Sequence, residues 1–117
     1  MKENVLLEKS FAFAVRVVRA YKYLVDDKKE FVLSKQFLRS GTSIGANAEE
    51  AIGGQSRPDF VAKMNIAYKE ARETNYWIRL LQATDYFAEA QAKSLLSDNE
   101  ELLKIISSIL ITTKNNS

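Results

Sequence analysis

Histidine and cysteine are absent from this chain of 117 residues, and its one proline is Pro58. Without cysteine there is no disulfide, no thiolate nucleophile and no cysteine-ligated metal, and a reducing cytoplasm is the natural compartment. Without histidine the default general base and the commonest transition-metal ligand are missing. The Glu-x-x-His pairs of a di-metal carboxylate bundle cannot form. No catalytic residue, metal or cofactor is therefore expected. Ser40, Thr42 and Ser43 have no imidazole to activate them. An export signal is not expected either, because Glu3 and Glu8 precede the first apolar segment and Arg16 and Arg19 interrupt it. No apolar run approaches the length of a membrane span.

What is present is 46% hydrophobic and 27% charged, the composition of an ordinary helical globule. The length fits one domain, 1–117, with a core of its own. The net charge is only +2, but residues 1–58 carry +3 and residues 59–117 carry −1. The excess lies in the first helical hairpin, where Arg16, Arg19, Lys22, Lys35 and Arg39 are the candidate contacts to phosphate backbones. A solvated charged face is the plainer explanation of the same residues.

Periodicity predicts four helices. In the first, roughly 5–25, Leu7, Phe11, Ala14, Val18, Tyr21 and Val25 form one apolar stripe. Leu6, Phe13, Val17, Ala20 and Leu24 form another beside it, so two neighbours are implied. The second, roughly 32–53, is unusual for Ser40, Gly41, Thr42, Ser43, Gly45 and Ala46 in a helical pattern. Interior glycine costs about 1 kcal/mol against alanine, so Gly41 and Ala48 should face backbones that approach closely. Gly53 and Gly54 then stop the helix. The third, roughly 57–83, starts on a Ser56 cap with Pro58 and Asp59 in its first turn. The fourth, roughly 88–113, carries Asn99 on its apolar stripe, where a polar residue fixes register or marks a wet end. Lys114 to Ser117 should fray. Asp59 with Lys63, Glu89 with Lys93 and Glu100 with Lys104 have the spacing of in-helix ion pairs. Long helices with short links predict an all-α fold, an antiparallel up-down-up-down four-helix bundle. The second stripe of the first helix predicts that it assembles as a homo-oligomer.

Three constellations are weighed for chemistry. Glu49, Glu50, Glu70 and Glu73 could meet across the second and third helices, although a salt-bridged surface is the blander explanation. Gly41 to Gly45 resembles a phosphate loop only superficially, since the Gly-Lys-Ser/Thr ending and a preceding strand are both missing. Lys69, Arg72, Tyr76 and Arg79 share one face of the third helix, and Arg16, Arg19 and Tyr23 one face of the first. Cations beside aromatic planes suit phosphates and unstacked bases; tyrosines with wet hydroxyls at a bundle edge explain the same pattern. Trp77 is expected in the core or an interface.

The stretch QFLRSGTSIGANAEEA from Gln36 to Ala51, with Ser56, Asp59, Phe60, Lys63 and KEARETNYWIRLL from Lys69 to Leu81, resembles the four-helix-bundle family related to the 23S rRNA-intervening-sequence proteins. Gln36, Arg39, Ser43, Asn47 and Glu50 match the polar positions of the family motif. Where the wider family often reads Ser-x-Pro-Ala-Asn-Ile-Ala-Glu-Gly, Gly45 replaces the proline, Glu49 an alanine and Ala51 the last glycine. The resemblance implies a bacterial, cytoplasmic protein without an established catalytic activity that forms a homopentamer. A similar bundle, the accessory variability determinant protein of diversity-generating retroelements, works with nucleic acid and a reverse transcriptase. The expected function is thus a non-enzymatic oligomer that binds RNA or a ribonucleoprotein partner through basic surfaces. The alternative is a protein-protein assembly module with no nucleic-acid role.

Overall fold

The computed structural model describes residues 1–116. Four helices account for nearly all of it: α1 (Lys2–Asp26), α2 (Leu33–Ile52), α3 (Arg57–Ala83) and α4 (Glu89–Asn115). No strand occurs among the described residues. α2 packs on α1 and α3, and α4 packs on α3 and α1, whereas α1 and α3 do not touch. The body measures 47 × 21 × 19 Å, the proportions of long helices laid side by side. Phe13, Phe37, Ile44, Met64, Ile78 and Leu102 fill its interior, each burial favouring folding by roughly 1.5–3 kcal/mol before entropy is counted.

The small residues of α2 let α1 approach. A Cβ placed on Gly41 would lie 2.7 Å from both methyl groups of Val17, and one on Gly45 would lie 3.3 Å from the Ser10 hydroxyl oxygen and 3.4 Å from the Ser10 carbonyl oxygen. Ala48 is fully buried on the same helix face. The spacing of four keeps this seam on one side of the helix, and the glycines are there for the neighbour rather than for a turn.

Each helix start has its own chemistry. Ser56 accepts a hydrogen bond from the Asp59 amide at 3.2 Å, as its position before Pro58 predicts. α2 is capped by Glu30, whose carboxylate accepts from the amides of Val32, Leu33 and Ser34 at 3.2, 3.0 and 2.6 Å. The Ser34 hydroxyl returns a bond of 2.8 Å to the Glu30 carbonyl. Lys29, with φ 56°, takes the left-handed conformation that turns the chain under the helix. Burial alone would push the Glu30 carboxyl up, but the bonds from Ser34, Leu33 and Val32 outweigh it and hold the pKa below 4.5. Nothing in the charged run DDKKE announces such a buried cap.

Several local features differ from the pattern of the sequence. α1 begins at Lys2, ahead of the apolar periodicity, with Glu3 in its first turn where the free amides favour a carboxylate. α4 runs through Asn115 and keeps Lys114 in its last turn, where a cation suits the carbonyl end; Ser117 lies outside the described residues. α2 does stop at Gly53, yet neither glycine adopts positive φ. The Gly53 amide bonds to the Glu49 carbonyl at 3.0 Å and the Gly54 amide to that of Ala51 at 3.1 Å, a tightening last turn. Asn99 is fully buried. Its Nδ2 donates to the Ala71 carbonyl of α3 at 2.8 Å, while its Oδ1 finds no partner.

Candidate functional site

α1 presents the two apolar stripes to different surroundings. Leu6, Phe13, Val17, Ala20 and Leu24 are buried against the other helices. On the other stripe Phe11 is 69% exposed, and Ala14, Val15, Val18, Tyr21 and Val25 are only half-buried. Phe11, Ala14, Val15 and Val18, edged by the side chains of Arg19 and Lys22, border a shallow depression of about 360 Å³. An apolar strip with a cationic rim is thus left uncovered by the chain itself.

The five basic candidates do not converge. Arg16 is bound to α4, donating to Asp98 at 2.6 Å and to the Ser94 hydroxyl at 3.0 Å. Arg39 is bound to α3, forking onto both carboxylate oxygens of Glu70 at 3.2 and 3.1 Å and onto Glu73. Its charge is accordingly held, with Glu73 the first cause and Glu70 the next of its raised pKa. Arg19, Lys22 and Lys35 are exposed and make no ion pair among the described residues. Arg16, Arg19 and Tyr23 do share a groove, about 310 Å³ between α1 and α4, closed on its far side by Gln91 and Leu95.

The family-motif positions form a polar ladder along α2, several of its rungs reaching α3. Ser43 donates to the Arg39 carbonyl at 2.6 Å and Asn47 to the Ser43 carbonyl at 2.8 Å. Glu50 meets Lys63 at 2.8 Å, and Gln36 is exposed at the other end. Deeper in the same seam the Thr74 and Ser40 hydroxyls lie 2.9 Å apart. Glu73 also accepts from Trp77 Nε1 at 2.9 Å. That bond comes first among the causes of its lowered pKa; burial opposes it and Arg39 adds to it. The four glutamates are therefore not gathered around a common point: Glu70 and Glu73 hold Arg39 and Glu50 holds Lys63. Among the described residues no three acidic side chains are grouped to hold a metal.

Lys63 thus reaches the neighbouring helix and not Asp59, and none of the three in-helix acid-base spacings is an ion pair among the described residues. Sequence spacing identified Arg39 as a motif residue but could not choose its partner from the available carboxylates. The useful signal was the pair Glu70 and Glu73, three apart on one helix face, which makes a fork for one guanidinium. Trp77 is half-buried beside Tyr76, edge to face at 5.0 Å. No helix among the described residues is long and apolar enough to cross a membrane.

The model of the 23S rRNA-intervening sequence protein family matches residues 2–108. A crystal structure of a protein of unknown function from the S23 ribosomal protein family of Bacteroides thetaiotaomicron is 55% identical, with a TM-score of 0.93, covering 94% of this chain and 98% of that one. Among curated proteins nothing matches.

Proposed function

The chain belongs to the 23S rRNA-intervening sequence protein family, and from that premise we propose that it is a non-enzymatic cytoplasmic protein that works as a closed homo-oligomer, five subunits by family resemblance. Its helices form an antiparallel up-down-up-down bundle. That topology is supported by Lys2 meeting Ser108 while Arg16 meets Asp98, and by Arg39 meeting Glu70 while Glu50 meets Lys63. The observation that carries the assembly is the outer stripe of α1. Phe11, Val15 and Val18 lie in a row with no helix of their own chain to cover them, and the matching stripe of another subunit is the simplest cover. Assembly then repeats Arg19, Lys22 and Lys35 around the oligomer and offers RNA or a ribonucleoprotein several weak contacts at once. The protein-binding module without a nucleic-acid role is supported by Arg16 and Arg39, whose charges are already answered inside the chain.

Light scattering at micromolar concentration tests the assembly. The expected result is one species of five chain masses for the wild type and a helical monomer for Val18→Glu, which places a charge in the middle of the stripe. A wild-type monomer would remove the proposal, and another closed number would remove only the five.

A further inference from the structure

The largest groove of the molecule lies between α3 and α4 and takes no part in the assembly reading. It is an open trough of about 690 Å³. Arg72 and Arg79 line it from α3 and Lys104 from α4, and none of the three makes an ion pair among the described residues. Lys2 reaches its far end from α1, donating to Ser108 at 2.7 Å. Against these four cations the lining contains one carboxylate, Glu100, which accepts from Asn75 at 3.3 Å. The contrast with Arg16 and Arg39 is chemical: there the carboxylate is supplied by the fold, here it is withheld.

The trough has further features of a strand-binding surface. Arg79 Nε donates to Asn75 Oδ1 at 2.8 Å, which fixes the guanidinium and leaves its two terminal nitrogens free to fork onto an oxyanion. The same guanidinium lies 5.9 Å from the ring centre of Tyr76, a side chain 49% exposed beside the groove. Ser107 and Thr112 add hydroxyls along the α4 wall. From Tyr68 to Arg79 the α3 wall is about 16 Å long at 1.5 Å per residue. Neighbouring helices are about 8–10 Å apart, so the trough admits one extended strand and is too narrow for a duplex.

We infer that this α3–α4 trough binds the phosphodiester backbone of a single-stranded nucleic acid, with Arg72, Arg79 and Lys104 on phosphates and Tyr76 as a stacking plane. α1 and α3 do not touch, so the trough and the outer stripe of α1 are on different parts of the molecule and can be occupied together. The inference shares with the proposed function the premise of nucleic-acid binding, but moves it from the first hairpin to the second.

The test titrates fluorescent oligouridylate and oligothymidylate of about a dozen nucleotides, and a duplex of the same length, against the assembled protein at two salt concentrations. Wild type is compared with Arg72→Glu/Arg79→Glu, with the milder Arg72→Gln/Lys104→Gln, and with the hairpin variant Arg19→Glu/Lys35→Glu, each checked for helix content and mass. The expected result is single-strand binding that either groove variant weakens at least tenfold and the hairpin variant leaves within threefold. Because each groove variant removes two cations that neutralise phosphates, the log-log salt slope should also fall by about 1.4. A preference for oligouridylate would identify RNA as the strand, and equal binding any single strand; both support the inference. Loss confined to the hairpin variant, or equal affinity for the duplex, overturns it and leaves nucleic-acid binding in place. Absence of binding by wild type at low salt overturns both.

Discussion

The inner and outer faces of α1 are equally apolar to read and unequal in what they meet. Inside, Val17 and Ser10 press against Gly41 and Gly45, where a single methyl group would already crowd the neighbour. Outside, Phe11, Val15 and Val18 are larger side chains over a shallow depression that nothing in the chain fills. Hydrophobic periodicity counts the partners a helix needs. Which partner is already present follows from the opposite surface: the smallness of α2 marks the covered face, and no segment of comparable smallness is left over for the other.

The largest test of that contrast is Gly41→Leu. The new side chain would enter space held by both Val17 methyl groups, and overpacking of this kind costs about 1–3 kcal/mol or more. Urea unfolding should show a clearly lowered midpoint, and Val17→Ala in the same chain should recover part of the loss by making room. If Gly41→Leu unfolded like wild type, the inner face would be no tighter than the outer and the comparison would fail.

The all-α fold and the α1–α2 seam were legible because glycine in a helix has few explanations other than close approach. The α3 cap was legible because Ser, Pro and Asp occur in their usual order. Glu30 was not, because a carboxylate in a charged link looks solvated until the chain is seen to double back through Lys29. Its signal, an acidic residue just ahead of an apolar helix start, is shared by many surface residues. For the site, sequence found the polar positions of α2 and the cationic face of α3 but not which cations the fold neutralises. That depends on which helices are neighbours: Arg16 meets Asp98 and Arg39 meets Glu73 across distances of 82 and 34 residues along the chain.

A middle-sized effect is expected at Glu30, which holds the first turn of the helix that forms the inner seam. Glu30→Gln keeps the shape and loses the charge-assisted bonds, at a cost of about 1.5–3 kcal/mol near neutral pH. Because the folded pKa lies below 4.5, the unfolded chain takes up a proton first as the pH falls. The contribution of Glu30 is therefore complete above the unfolded value and is lost as the pH falls through the folded one. The stability gap between wild type and Glu30→Gln should be constant above about pH 5.5, a unit over the ordinary value, and narrow on acidification. A gap unchanged down to pH 3 would assign the effect to packing and not to charge.

The smallest intrinsic effect, and the sharpest for the comparison, is expected at Phe11→Ser. An exposed side chain is not part of the core of its own chain, so the dispersed subunit should change in stability by no more than about 0.5 kcal/mol. Where subunits associate, Phe11 is buried by a neighbour, and the assembled form is stabilised by mass action to an extent that grows with protein concentration. The two situations separate in one experiment, thermal unfolding followed over a hundredfold range of concentration. Wild type should melt higher as concentration rises, and Phe11→Ser should meet it at the dilute end and fall progressively behind at the concentrated end. Equal slopes for both proteins would place Phe11 outside any subunit contact. A constant deficit at every concentration would make it a residue of the inner kind, with the exposed and covered faces of α1 no longer distinct.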